Sequence, residues 1–359
     1  MAGSASLPAR KAGHTLIAVV GDVHGHFDGL DAHALRHLGA DVCCVVGDLG
    51  EEDLQLVERI GALDGPKAVI LGNHDAWYHL TERSRKRKAA AGLIDTQQHP
   101  YASIHRQLEA LGESDVGYAS LSLPDCKLSI VGGRPFSSGG SSWGHAAQFY
   151  ADVYGISSVH DSAKYIAARA LEQPPDHALV LLAHNGPAGL GSQRHDICGV
   201  DWLGQKQGDH GDPDLELAIE AIRFKGRTVP LVLFGHMHHR LNTRSEAFSH
   251  TSNLRNMVQC DPAGGTMYIN CAVCPRHRRR DGAVERHFVL VELAAAAGVV
   301  SAYNVWLKVA VGEEPGGRVQ CEVSQVQPLV KTEGGSEQHK ASKLIWQAYS
   351  STWTRVQEC

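Results

Sequence analysis

Short, uniformly apolar runs alternate with helix-like segments along the chain. Each run is four to seven residues long, which is typical of strands buried on both faces of a sheet. Strands that alternate with helices indicate an α/β fold, with largely parallel pairing in the first half of the chain. The predicted helices are 29–38, 52–62, 103–111, 161–171 and 214–224. The predicted strands are 15–20, 41–46, 67–71, 128–131, 178–183, 231–234, 266–270 and 287–293.

Polar clusters rich in Asp, His and Gly follow five of these predicted strands. They read Gly21-Asp-Val-His-Gly25, Gly47-Asp-Leu-Gly-Glu-Glu52, Gly72-Asn-His-Asp75, Ala183-His-Asn-Gly186 and Gly235-His-Met-His-His239. Flanking glycines permit a sharp exit from a strand. Because the loops that leave the carboxyl ends of parallel strands converge on one edge of a sheet, these clusters should meet in space. The sequence therefore predicts a single site at that edge.

The residue types in these clusters suit two metal ions. Asp22 and His24 lie on one tight loop and present an oxygen and a nitrogen toward one point, as ligands of one cation would. Asp48 leaves the neighbouring strand and could bridge to a second cation roughly 3.5–4 Å away. The second site would be completed by Asn73, His184 and His236, and His238 would return to the first. Oxygen and nitrogen ligands without thiolate favour Mn, Fe or Zn over a structural cysteine-zinc site.

Less specific interpretations exist for some of these residues. Asp22 and Asp48 could be helix caps, because Asp is favoured where a helix begins, but this leaves the histidines unexplained. His184 alone would favour a structural role, yet its place at the end of an apolar strand favours metal binding. Cys271 and Cys274 have the spacing of a zinc or redox pair. No second pair follows at a zinc-site distance, so we expect two ordinary thiols.

Together the ordered motifs resemble the calcineurin-like metallophosphoesterase superfamily. They span residues 21–239 in the order that this superfamily shows. Longer matches at 132–136, 211–214 and 234–239 are similar to a branch found in cyanobacteria and photosynthetic eukaryotes. The resemblance implies a four-layer α/β/β/α sandwich with an inserted region over the active site.

The resemblance also implies a reaction, the hydrolysis of a small phosphodiester or phosphomonoester by a metal-activated water. One metal would be held by Asp22, His24, Asp48 and His238, and the other by Asp48, Asn73, His184 and His236. His74 would donate a proton to the leaving group or stabilise its charge. Asn73 and His74 would also contact the substrate.

Glu51 and Glu52 depart from the protein Ser/Thr phosphatases of this superfamily, which have Asp and Arg at the matching positions. Glu51 could still orient the imidazole of His74, as Asp75 could. Glu52 cannot bind a phosphate as arginine does, which counts against a protein phosphatase. The Gly-His-x-His ending at 235–238 instead resembles the phosphodiesterases and small-molecule phosphatases. A non-catalytic protein-binding scaffold is the second alternative. Such a scaffold should lack part of the ligand set or His74, and this chain lacks neither.

Arg134 and Asn185 are further candidates for substrate contact. Arg134 lies in a glycine-rich loop after a predicted strand and could clamp a phosphate through two hydrogen bonds, although a solvent-exposed turn is equally consistent with its position. Asn185 could instead be a turn former. The basic runs at 83–88 and 276–280 favour solvated surface.

Composition narrows the partners and the compartment. The net charge of -5 does not favour nucleic-acid binding, and no apolar run reaches the roughly 18 residues of a membrane span. Nine cysteines, an odd number, indicate reduced thiols and a cytoplasmic protein; a chloroplast protein would follow if the acid-free N-terminus were the remnant of a transit peptide. The oligomeric state stays open. We divide the chain into an N-terminal extension 1–14, a metallophosphoesterase domain 15–310 with the insertion 77–173, and a C-terminal extension 311–359.

Overall fold

The computed structural model describes residues 6–95, 97–202, 208–241, 253–261, 265–311 and 319–331, which form two β-sheets flanked by helices. The strands are β1 Thr15–Val20, β2 Val42–Val45, β3 Lys67–Val69, β4 Ser120–Leu123, β5 Leu128–Gly132, β6 Ala178–Leu182, β7 Leu231–Phe234, β8 Val258–Asp261, β9 Thr266–Asn270, β10 His277–Arg280, β11 Ala283–Ala294, β12 Gly298–Val311 and β13 Val319–Lys331. The helices are α1 Gly29–Leu38, α2 Leu54–Gly61, α3 Glu82–Ala90, α4 Ala102–Leu111, α5 Trp143–Tyr154, α6 Val159–Leu171 and α7 Pro213–Phe224. Within the described residues, no helix has the length and apolar character to span a membrane.

Parallel pairing dominates the strands that precede the polar clusters. The first sheet has the order β13-β12-β11-β1-β2-β3, with β10 paired to β11, and β1, β2 and β3 are parallel. The second sheet has the order β4-β5-β6-β7-β9-β8, and β5, β6, β7 and β9 are parallel. This confirms the predicted α/β fold and the parallel pairing of the first half of the chain.

Successive residues of β1 belong to two different hydrophobic layers. Ile17 and Val19 pack between the two sheets, together with residues of the second sheet such as Leu182. Ala18 and Val20 point the other way and pack in the layer that includes the helices. Because strand side chains alternate between faces, a strand that is apolar throughout is buried on both sides. The helices therefore cover the outer faces of the sheets, as expected for an α/β/β/α sandwich.

Several strands lie outside the short apolar runs. Strands β12 and β13 are long and antiparallel, and each has polar residues along its length, so neither forms an apolar run. Strand β13 lies within the range 311–359 that the sequence assigns to a C-terminal extension, and it belongs to the first sheet. The range 77–173 supplies β4 and β5 to the second sheet besides its helices. The proposed division of the chain into extensions, domain and insertion stays a prediction.

The two basic runs behave differently in the folded protein. Residues of the first run lie in α3, which has no buried residue, as predicted for a solvated surface.

The prediction is wrong for Arg276, whose side chain is fully buried. The Arg276 guanidinium donates to Asp31 Oδ1 at 2.6 Å and to the carbonyl of His26 at 2.7 Å. Burial acts to raise the pKa of Asp31, but the charge of Arg276 brings it below its ordinary value. This ion pair ties the residue before β10 to helix α1.

Because of His287, a fully buried residue of β11, we expect the protein to lose stability in mild acid. Its Nε2 lies 2.9 Å from Asn304 Oδ1, and burial lowers its pKa to about 3. An unfolded histidine has a pKa of about 6.5, so unfolding takes up a proton at any pH between these values. The stabilising contribution of neutral His287 is therefore complete above pH 6.5 and is lost as the pH falls.

We expect this group to lower the free energy of unfolding by about 2 kcal/mol between pH 7.5 and pH 5. His287→Gln should reduce the pH dependence by that amount, whereas the same change at the exposed His160 should not. Urea unfolding in chelator, at both pH values, measures the difference. Identical pH dependence in wild type and His287→Gln would contradict the assignment.

Candidate metal centre

The five polar clusters meet at one edge of the sandwich, at the ends of β1, β2, β3, β6 and β7. The amide of His24 donates to the carbonyl of Asp48 at 2.7 Å, which joins the loops after β1 and β2. The amide of Gly235 donates to the carbonyl of His184 at 2.8 Å, which joins the loops after β6 and β7. At Gly72 a Cβ atom would lie 2.3 Å from Asp48 Oδ1 and 2.5 Å from His184 Cε1. Glycine is therefore needed there for the loops to approach each other.

One group of candidate ligands consists of Asp22, His24 and His238, and Cys274 lies with them. Their ligand atoms all lie within 4.8 Å of one another. His24 Nε2 is 3.0 Å from His238 Nε2, and His238 Nε2 is 3.3 Å from Asp22 Oδ2. Two imidazole nitrogens and a carboxylate oxygen thus point to one place, which is the arrangement that a bound cation requires.

A second group consists of Asp48, His184 and His236, whose ligand atoms also lie within 4.8 Å of one another. Asn73 joins this group, because its Oδ1 is 3.0 Å from His184 Nε2. His184 Nδ1 lies 2.7 Å from the carbonyl of Val46. Since a carbonyl can only accept, Nδ1 donates, and in the neutral imidazole the lone pair of Nε2 faces the group.

Asp48 lies between the two groups. Its Oδ1 is 3.3 Å from His184 Nε2 in the second group, and its Oδ2 is 3.7 Å from His24 Nε2 in the first. The amide of His74 also donates to Oδ1 at 2.9 Å. Each carboxylate oxygen therefore faces a different group, as a carboxylate shared by two cations would.

Three of the candidate ligands adopt a backbone conformation that residues other than glycine rarely adopt. The φ angles are 43° at His24, 50° at Asp48 and 65° at His236. Such a conformation costs about 1–3 kcal/mol at each residue and is typically found at functional sites. The loops therefore hold these side chains in place at the expense of stability.

The electrostatics of the cluster also fit bound metal. Burial acts to raise the pKa of Asp22, but the hydrogen bond and charge of His238 bring it well below its ordinary value. Burial lowers the pKa of His236, and the nearby charges of His184 and His210 lower it further. Burial acts to lower the pKa of His184 and of His238, but the charges of Asp48 and Asp22 raise them above their ordinary value. A cation bound beside the ionised Asp22 would displace any proton from these imidazoles, because histidine binds metals in its neutral form.

The predicted acid, His74, is held by rings rather than by a carboxylate. Its ring is stacked on Trp77, with centroids 4.3 Å apart, and it meets the ring of His24 edge-on at 4.9 Å. Glu51 instead accepts from the hydroxyl of Tyr78 at 3.1 Å. The Asp75 carboxylate accepts from the backbone amides of the loops, including Gly72 and Leu49. The structure therefore gives both acids other partners than the imidazole that they were expected to orient.

Glu52, at the position of the phosphatase arginine, has a role in the fold. Its carboxylate accepts from the amides of Tyr78 and His79, from His79 Nδ1 and from the hydroxyl of Ser103. The side chain is 3% exposed. Glu52 therefore stabilises the segment that follows His74 through these hydrogen bonds and does not face a substrate.

Arg134 and Asn185 lie in a buried network beneath the cluster. The Arg134 guanidinium donates to Asp212 at 2.7 Å and to Asp214 at 3.0 Å, and its side chain is 1% exposed. Its charge is thus neutralised and enclosed, so the expected phosphate clamp at Arg134 is corrected to a structural ion pair. Asn185, also fully buried, donates to the carbonyl of His210 at 2.7 Å. Neither side chain is open to a substrate.

Trp77 and Cys274 are site residues that the sequence interpretation did not include. Trp77 follows His74 by three residues, a spacing that could have signalled a contact on a helical turn. The Cys274 thiol contacts the carbonyl of Asp22 at 3.5 Å across 252 residues, and no local pattern signals a contact between residues so far apart.

Comparison with known proteins identifies one family. The model of the calcineurin-like phosphoesterase family matches residues 15–240, and no curated protein matches. A solved structure from Thermus thermophilus is 12% identical, with a TM-score of 0.41, over 87% of this chain and 100% of that chain. A dimetal phosphatase from Danio rerio is 9% identical, with a TM-score of 0.39, over 89% of this chain and 99% of that chain. The NAD nucleotidase of Haemophilus influenzae is 9% identical, with a TM-score of 0.40, over 86% of this chain and 59% of that chain.

Proposed function

Because the chain belongs to the calcineurin-like phosphoesterase family, we propose that it hydrolyses a small phosphodiester or phosphomonoester at a centre of two metal ions. The donor set of carboxylate, amide and imidazole suits Mn, Fe or Zn. Asp22, His24, Asp48 and His238 would hold one ion. Asp48, Asn73, His184 and His236 would hold the other.

The observation that carries this proposal is the position of Asp48. Its two oxygens face donors of different groups, His184 and His24, and both groups contain only residues that suit a cation. A helix cap would need neither the second carboxylate oxygen nor the histidines around it. The arrangement therefore supports a shared ligand between two metals over an isolated structural aspartate.

When bound, the two metals would supply positive charge for the phosphoryl oxygens and make a water nucleophilic near neutral pH. The remaining chemistry falls to this chain's own residues. His74 lies beside His24 at the edge of the cluster, where its imidazole could protonate a departing alkoxide or phenoxide. Glu52 takes no part, since its carboxylate is occupied by the segment after His74, which supports a small substrate over a phosphoprotein.

His74→Ala tests the enzymatic proposal. We expect the variant to keep its metals and to hydrolyse phenyl phosphate and diphenyl phosphate about 100-fold to about 10000-fold more slowly, the usual contribution of a general acid. Metal analysis and steady-state rates with added Mn measure both properties, and His160→Ala, on the exposed surface of α6, is the control. Equal rates for wild type and His74→Ala would instead support a protein-binding scaffold.

A further inference from the structure

The backbone places Trp77 directly over His74. Residues Asn73–Ala76 form a 3₁₀ turn after β3, and the amide of Trp77 closes it by donating to the carbonyl of His74 at 3.2 Å. In a 3₁₀ turn, side chains three residues apart lie above one another. The same turn is anchored from outside, because Gln107 Nε2 donates to the carbonyl of Asp75 at 2.8 Å. The position of the indole is thus set by the fold.

The two rings are parallel and in contact. Their centroids are 4.3 Å apart and the angle between their planes is 6°. On its other side the His74 ring meets His24 at 4.9 Å and an angle of 89°. The imidazole is therefore confined between the face of the indole and a candidate metal ligand, which leaves it little freedom to rotate away from the cluster.

Asp75 and the two glutamates of the loop after β2 have partners other than the His74 imidazole. Glu51 accepts from the hydroxyl of Tyr78, Asp75 accepts from the amides of Gly72 and Leu49, and Glu52 is bonded to the segment 78–79. All three carboxylates are thus bonded to groups other than the imidazole. The ring contacts given above, the stack on Trp77 and the edge of His24, therefore orient the imidazole.

We propose that Trp77 is a positioning residue that orients the His74 imidazole toward the leaving group. The inference rests on the proposed hydrolase function, in which His74 is the proton donor. Trp77 itself need not touch the substrate. Losing the indole would leave His74 and both groups of ligands in the chain but would let the imidazole rotate, and a misplaced donor loses much of its effect.

The test compares Trp77→Ala, Trp77→Phe and His74→Ala on p-nitrophenyl, phenyl and benzyl phosphate, and on the corresponding methyl diesters. A nitrophenolate departs readily without a proton, whereas a benzyl alkoxide does not. We therefore expect Trp77→Ala to lose little on the nitrophenyl esters and about 10-fold to about 100-fold on the benzyl esters. Trp77→Phe, which keeps an aromatic face, should recover most of the loss. Metal content should not change.

Trp143→Ala is the matched control, because Trp143 is stacked in the same way on Tyr150, with centroids 4.8 Å apart and planes at 11°. It removes an equivalent stack whose partner is Tyr150 and not a residue of the metal centre. We expect its rates to be the same fraction of wild type on all the esters. A dependence on the leaving group in this control as well would overturn the assignment to Trp77.

A second readout does not depend on turnover. In zinc-loaded protein with labelled histidines, the His74 ring protons should be shifted upfield by the indole, and the His74→Ala spectrum assigns them. Trp77→Ala should move this signal downfield, and Trp77→Phe should move it less.

Wild-type rates and an unmoved signal in Trp77→Ala would overturn the proposal, as would an equal loss on every ester. If His74→Ala matched wild type on every ester, the hydrolase proposal would fail as well, a result distinct from failure of Trp77 alone.

Discussion

Replacing Asp48 with alanine is expected to abolish metal binding and to lower turnover by at least about 1000-fold, since metal charge supplies several kcal/mol of stabilisation to the transition state. Both candidate groups use this carboxylate, Oδ1 beside His184 and Oδ2 beside His24. Its removal therefore weakens both positions at once, whereas loss of a histidine would affect one. Metal analysis of the purified variant, with rates on phenyl phosphate in added Mn, measures the effect.

Two comparisons make the Asp48 result specific. Asp48→Asn keeps an oxygen for the amide of His74 but removes the charge, so it should also lose metal while folding normally. Asp64→Ala removes a carboxylate that is 79% exposed and pairs with Arg36 at the surface, and it should keep full metal content. Two metals per chain in Asp48→Ala would show that this residue does not link the two positions.

Arg134→Met is expected to lower the free energy of unfolding by about 3–5 kcal/mol, because it leaves two carboxylates buried without their shared partner. Asp212 and Asp214 are 2% and 0% exposed in their side chains, and both accept from the Arg134 guanidinium. Asp214 also accepts from the hydroxyl of Ser162, which is a neutral donor. Arg134 is therefore its cationic partner in the described network. Urea unfolding at neutral pH measures the change.

Arg169→Met provides the matched comparison, because its partner Glu172 lies at the surface and the two side chains are 40% and 57% exposed. An exposed pair contributes about 0–1 kcal/mol. Adding Asp212→Asn and Asp214→Asn to Arg134→Met should recover part of the lost stability by removing the stranded charges. A raised KM in Arg134→Met with unchanged stability would restore the interpretation of Arg134 as a phosphate clamp.

Most of the central architecture follows from local pattern. Strands β1, β7 and β9 and helix α1 have the predicted bounds. A strand buried on both faces is a continuous apolar run, and a helix that ends at a glycine has its stop signal in the sequence, so both can be recognised from consecutive residues. Strand β13 is different. Gln320 and Glu322 of this strand are exposed, and only pairing with β12 over its length makes it a strand.

The metal centre divides in the same way between sequence and fold. The sequence by itself determined the seven candidate ligands and their convergence, since each polar cluster directly follows its own strand and parallel strands end at one edge. Only the tertiary structure decided which charged side chains serve the fold. Arg134 pairs with Asp212 across 78 residues and Arg276 with Asp31 across 245, and no local pattern shows whether a charge will find such a partner. The same limit applies to His74. Its ring stacks on Trp77, and the acids that could have oriented it are hydrogen-bonded to other groups, and both facts depend on how the loops fold.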